Sequence, residues 1–296
     1  MSEASAIIND LEAKKQAGVR LLGEIITWGV GLNGKKVPYT KIAESLRACE
    51  LPDKYARQLC NRYAFARACR KLQQQRIIRI VKEDGDLMTF QFTAEKKAGE
   101  GEDRFNYELE TMLTLNKKSG EIACSIPGIA TTAKELLEDS IGNRTASDIT
   151  NIVQRLFSTH ADLFQVRDQG GAYFVPEMHL DFVNKVERFL VVMGGKMNRF
   201  PIPEGTPNGD AAVKDVVAAG LAAMIAKHRE SIEKFGSETG ERALEGQAER
   251  IKATRFKLQC YAAYLEERRE WLESELDRAN DDLKVKFNEF TSKSAA

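Results

Sequence analysis

The chain has 296 residues, 43% of them hydrophobic and 30% charged, and its 44 Lys and Arg balance its 44 Asp and Glu. That length sets a prior of about two domains, and that composition is typical of a mostly helical globular protein. No run of about 18 apolar residues occurs, so no membrane-spanning helix is expected. The acidic, polar start MSEASAIINDLEAKK is unlike a signal peptide, so the expected location is the cytoplasm.

Residues 4–15 read as a helix, and Val19 to Trp28 continue it with apolar residues at Val19, Leu22, Ile25 and Ile26. Gly29, Gly31 and Asn33-Gly34 break it. Thr40 can cap a short helix over Lys41 to Arg47, and Asp53, after Leu51-Pro52, can cap a second one. That second helix, Lys54 to Gln74, opens the most unusual stretch of the chain. From Lys54 to Lys82 it carries nine basic residues (Lys54, Arg57, Arg62, Arg67, Arg70, Lys71, Arg76, Arg79 and Lys82) and no acid, where even mixing would give about four. A one-sign cluster on a neutral chain makes a local positive field.

At about 100° per residue, Arg57, Asn61, Ala64, Arg67, Ala68 and Lys71 share one side of this helix, and small alanines there would admit a phosphate backbone. Arg62 and Arg70 fall on the apolar side. Arg76 to Val81 and Leu87 to Phe92 flank an Asp84-Gly85 turn and form a hairpin. Helix, helix, hairpin is the order of a winged helix, whose second helix and wing face the ligand. Three readings of the basic face stay open: a solvated surface, a surface for an acidic protein, and a nucleic-acid surface. The last is carried forward, DNA ahead of RNA, with Arg57, Asn61, Arg67, Lys71, Arg79 and Lys82 as the binding residues.

Residues 94–104 are polar and read as a linker. Met112 to Leu115 and Glu121 to Ile126 make a second hairpin. Thr132 with Glu135 matches a capping box for a helix over Ala133 to Glu138. Ile149, Ile152, Val153, Leu156 and Phe157 mark another helix, and Leu163 to Arg167 with Ala172 to Val175 another hairpin around Asp168-Gln169-Gly170-Gly171. The helix–helix–hairpin order thus occurs twice, around 40–92 and 131–176.

A helix over 178–193, an extended Asn198 to Pro203 and a helix over Ala211 to Phe235 follow. The last helix, Glu241 to Phe287, holds Leu244, Ile251, Leu258, Leu265, Leu272 and Ala279 seven apart, a coiled-coil seam. Its partner helix is half as long. Leu265, Trp271, Leu272, Leu276 and Leu283 are therefore expected to meet a protein partner or a second copy.

Cys49, Cys60, Cys69, Cys124 and Cys260 form no CxxC pair and read as reduced thiols. His160, His179 and His228 lack metal-ligand spacing. No phosphate-loop, dinucleotide or nucleophile-elbow signature occurs. No catalytic residue, metal or cofactor is expected, so the chain reads as a binding protein and not an enzyme.

The expected fold is α+β and mostly α: a winged-helix-like basic domain over 1–93, a second winged-helix-like domain over 105–203, and an antiparallel helical hairpin over 208–290. Arg62 to Ala68, Gly170 to Pro176, Asn198 to Pro203 and Lys257 to Tyr261 together resemble a poorly characterised family of phage and bacterial proteins, linked to MoxR-like AAA+ ATPases. The resemblance spans residues 40–290, brings no catalytic residues, and implies the alternative role of an accessory or adaptor, such as one serving an ATPase of that kind.

Overall fold

The computed structural model of the protein describes residues 20–73, 76–97, 105–167, 170–236 and 238–294. The expected helix over 4–15 and the Asp168-Gln169 turn lie outside them. The fold is α+β with helix predominating. Among the described residues no helix is long and apolar enough to cross a membrane. The described residues form two compact units, one within Gly29–Leu156 and Lys185–Lys196, the other within 20–28, Phe157–Asn184 and 197–294.

The first of these, the sheet unit, holds a four-stranded antiparallel meander: β3 (Arg76–Asp84), β4 (Leu87–Lys97), β5 (Phe105–Asn116) and β6 (Ile122–Cys124). Side chains alternate along a strand. Met88, Phe90 and Phe92 of β4 therefore point one way, with Leu113 and Leu115 of β5 beside them, and all are buried. Two helices cover that face, α2 (Asn61–Lys71) with Ala64, Phe65 and Cys69, and α3 (Pro127–Gly142) with Ala133 and Leu137. β4 and β5 pair out to Lys97 and Phe105, so a hairpin stands where the sequence reads as a linker.

Before α2 come β2 (Val37–Pro38), α1 (Tyr39–Ala48) and a 3-10 turn (Asp53–Tyr55). β2 pairs with β7 (Asn143–Arg144), which leads into α4 (Ala146–His160). The order α1, α2, hairpin follows expectation, but the hairpin is no free wing, because β5 occupies the far side of β4.

The second, helical unit contains a four-stranded sheet in the order β10 (Gly195–Pro203), β1 (Leu21–Val30), β9 (Ala172–Pro176), β8 (Phe164–Gln165). The spacing over Val19 to Trp28 predicts a helix where β1 stands. Its β-branched and aromatic residues instead pair antiparallel with β9 from Gly23↔Pro176 to Thr27↔Ala172. The 3-10 turn Glu177–His179 and α5 (Leu180–Val192) follow β9.

Three helices carry the larger core: α6 (Pro207–Glu233), α7 (Glu241–Cys260) and α9 (Arg268–Ser294). Gly220 lets α6 approach β8, since a Cβ there would stand 2.5 Å from the Phe164 ring. The long C-terminal helix predicted by the heptads is broken. α8 (Ala262–Leu265) is one turn long, and Glu266 takes φ 43° and ψ −124°, a left-handed conformation that disfavours a side chain. The chain reverses there, and α9 packs back on α6 and α7.

Leu265, Leu272, Leu276 and Leu283 are consequently buried with Leu244, Ile251 and Leu258 inside this three-helix core. They are not the exposed partner surface expected for them. Trp271 alone of that set faces solvent, at 57% exposure. His228 lies within the bundle, where Gln247 donates to its Nδ1 (3.0 Å) and its Nε2 meets Thr254 Oγ1 (2.8 Å). Burial pushes its pKa down and keeps it neutral.

Candidate anion-binding pocket

α2 is shorter than the sequence implies. Its buried residues, Ala64, Phe65, Ala68 and Cys69, recur at helical spacing and face the sheet and α3. Ala64 and Ala68 are therefore small because helix packs on helix, and they offer no approach to a phosphate backbone. Burial also pushes the Cys69 thiol up to about 12, which leaves it protonated and unreactive. Asp53 is the first residue of the 3-10 turn and makes no cap hydrogen bond, so the cap expected there is absent, and Arg57 lies before α2, its Nε donating to the Lys54 carbonyl (2.8 Å). Asn61 donates to the Lys117 carbonyl (3.1 Å) and so ties α2 to the β5–β6 turn.

Arg67, Arg70 and Lys71 leave the buried face and line a pocket of about 290 Å³ in the sheet unit. Lys36, just before β2, lines it too. Its acids are Asp139 on α3 and Asp148 on α4, and its neutral wall includes Ser140, Asn143, Thr145, Ser147 and Asn151.

Asp148 closes a reciprocal capping box at the start of α4. It accepts from Thr145 N–H (2.9 Å) and Thr145 Oγ1 (3.0 Å), while its own N–H reaches Thr145 Oγ1 (3.4 Å). Arg67 holds the same carboxylate with two bonds, Nη1 at 3.0 Å and Nη2 at 2.5 Å. Burial raises the Asp148 pKa, but the bonds from Arg67 and Thr145 outweigh it, and the group lies below the ordinary carboxylate range. Asp139 behaves alike. Burial opposes its ionisation, and Lys36 (2.5 Å), Asn143 (3.1 Å) and Lys71 (3.3 Å) overcome that cost.

Beneath the pocket Arg144 is 4% exposed and makes no ion pair among the described residues. Its guanidinium donates to the carbonyls of Ser140 (2.9 Å), Ile141 (3.3 Å) and Asn143 (2.7 Å), groups that the end of α3 leaves unpaired, and to Arg57 (2.5 Å). Burial lowers its pKa, yet a guanidinium stays charged. Four lining cations against two carboxylates leave an excess of two positive charges, or three with Arg144. Arg70 is exposed and has no ion-pair partner among the described residues. The Ser140 hydroxyl is buried without a hydrogen-bond partner.

The expected residues are thus only partly brought together. Arg67 and Lys71 meet at the pocket. Arg79 and Lys82 do not, because Arg79 pairs with Gln91 and Lys82 with Thr89, positions out of phase with inward Phe90 and Phe92. The register aims both at the sheet face opposite α2, and Lys82 is bound to Asp84 (3.0 Å). Arg62 pairs with Glu83 (2.5 Å) and Arg76 with Glu110 (2.5 Å), so acids distant in sequence neutralise much of the basic stretch. Lys36, Arg70 and Arg144 were not among the expected site residues. The Thr145-x-x-Asp148 spacing was a readable signal; the expected box at Thr132 is not one, since Thr132 lies inside α3 and donates to Gly128 (3.0 Å).

The helical unit has its own polar cluster. Asp162 accepts from Tyr261 (2.6 Å), His179 (3.4 Å) and Lys257, and Tyr261 also meets His179 (3.2 Å). Burial opposes the Asp162 charge, but these donors hold its pKa well below normal. Burial and the neighbouring carboxylate push Tyr261 far up, so it remains a neutral donor. Among the described residues no group of three or more His, Cys, Asp or Glu could hold a metal.

The model of a family of unknown function, DUF6744, matches residues 21–294. No curated protein matches the chain, and no solved structure does.

Proposed function

The chain belongs to the DUF6744 family, and we propose that it is a non-enzymatic nucleic-acid-binding protein, DNA ahead of RNA, that grips phosphates at the pocket between α2, α3 and α4. The observation that carries this reading is the convergence of Lys36, Arg67, Arg70 and Lys71 on one concavity holding only two carboxylates. Arg144 adds a buried charge beneath it. Phosphate oxygens suit such a site because they accept several charge-assisted bonds at once. The winged-helix order of α1, α2 and the hairpin supports the reading, with the pocket side of α2 in place of the expected wing.

Titration of a mixed-sequence duplex against salt tests it. Arg67 is held by Asp148, and Lys36 and Lys71 share Asp139, so the excess of two positive charges supplies about two contacts and a log–log salt slope near −2. Arg70→Ala should lower that magnitude by about 1, whereas Arg79→Ala and Lys82→Ala on the opposite sheet face should leave it unchanged. A wild-type protein that binds neither duplex nor single strands at low salt refutes the proposal, and the adaptor role then stands in its place.

A further inference from the structure

We infer that the groove between α6 and α9 is a docking site for a basic, amphipathic helix of another protein. The groove has a volume of about 500 Å³. Its floor is made of small and apolar residues, Ala222 and Ala226 one turn apart on α6 and Leu272 on α9. Trp271 forms one wall and is 57% exposed. An exposed tryptophan beside a small-residue floor is the anatomy of a binding hot spot, since it offers large apolar area to whatever fills the groove.

The rim chooses the occupant. Glu230 and Glu233 are exposed and make no ion pair among the described residues. Glu275 is shared by Arg229 (3.0 Å) and Arg278 (2.5 Å). Three carboxylates and one arginine line the groove, an excess of two negative charges. A second copy is disfavoured. A two-fold contact joins the same patch from both copies, so it would bring two acid-rimmed grooves into one interface. A partner with Lys or Arg flanking an apolar stripe meets both requirements. Ala222 to Glu233 spans about 17 Å at 1.5 Å per residue, which accommodates about three turns of helix with anchors at i, i+3 or i+4, and i+7.

The experiment uses the full chain carrying Trp28→Phe, so that Trp271 is the sole fluorophore of the two tryptophans. The probes are an amphipathic Leu/Lys peptide and its Leu/Glu counterpart, each about four turns long. The Leu/Lys peptide should shift Trp271 emission to the blue and saturate, and the Leu/Glu peptide should not. By calorimetry, Trp271→Ala should weaken Leu/Lys binding at least about tenfold, the effect of losing a hot spot, with Trp271→Phe intermediate. The pair Glu230→Lys and Glu233→Lys should transfer the preference to the Leu/Glu peptide. Trp271, Glu230 and Glu233 all face solvent, so substituting them should leave the melting temperature unchanged. No blue shift with Leu/Lys, an equal response to both peptides, or a preference that survives charge reversal would overturn the inference. So would a blue shift of Trp271 that grows with protein concentration alone, which would identify the occupant as a second copy.

Discussion

The two units hold carboxylates in opposite ways. In the helical unit one carboxylate, Asp162, is surrounded by three donors and screened from solvent, and only Lys257 among those donors is a fixed cation. In the sheet unit two carboxylates face four cations across an open pocket, and one of the cations, Arg70, is left over. Full satisfaction makes the first cluster a fastening, which ties the segment before β8 to α7 and to the turn after β9. Incomplete satisfaction gives the second an unspent positive charge. An ion pair between a site's residues therefore says little about function until the charges are counted.

The most severe way to break the comparison is Asp162→Ala. It leaves Lys257 partly buried without its partner, and the loss of a buried pair typically costs about 3–5 kcal/mol. Thermal or denaturant unfolding should register it. The pH dependence follows from the depressed Asp162 pKa. The unfolded state binds the proton more readily, so the contribution is complete above the ordinary carboxylate pKa of about 4 and is lost as pH falls toward the folded value. Asp162→Ala should flatten the acid limb of the stability profile.

Arg67→Ala tests the supposed equivalence of the pocket cations. It strands Asp148, which is 8% exposed, and should cost about 2 kcal/mol. The sequence reading places Arg67 on the binding side of the basic helix, whereas its two bonds to Asp148 tie it to the fold. Tyr261→Phe should cost about 1.5 kcal/mol by removing a bond to a charged acceptor. Because the Tyr261 pKa is raised, the phenol stabilises below its ordinary value of about 10, and this contribution disappears as pH rises further; the variant should lack that alkaline loss. Arg70→Ala should change stability by less than about 0.5 kcal/mol. A larger loss would show that Arg70 is tied into the fold like Arg67 and would remove the contrast between the units.

Local chemistry made much of this architecture legible. The Asp84-Gly85 turn, the Pro-flanked extension at 198–203 and the paired helices before each hairpin all follow from residues that act on their neighbours. What failed required knowledge of distant partners. β1 carries both helical and strand spacing, and only its pairing with β9 decides between them. The basic stretch reads as unpaired because Glu110, Asp139 and Asp148 lie far along the chain. Lys36 reaches the pocket, and Arg144 the backbone of its wall at Ser140 and Asn143, beside the short β2–β7 pairing, two residues long on each side, which no periodicity announces. The reversal at Glu266 has neither Gly nor Pro to mark it.

That reversal has a consequence for assembly. The heptad seam cannot distinguish α9 of its own chain from α9 of a copy, since either would present Leu272, Leu276 and Leu283 to the same holes. The reversal that brings α9 back onto its own chain runs through one non-glycine residue held at positive φ, a conformation that costs about 1–3 kcal/mol. Straightening it would release that cost and hand α9 to a neighbour with every core contact kept, the geometry of domain swapping. The balance between the two closures is thus set by protein concentration and by residue 266, and a glycine there would favour the monomer.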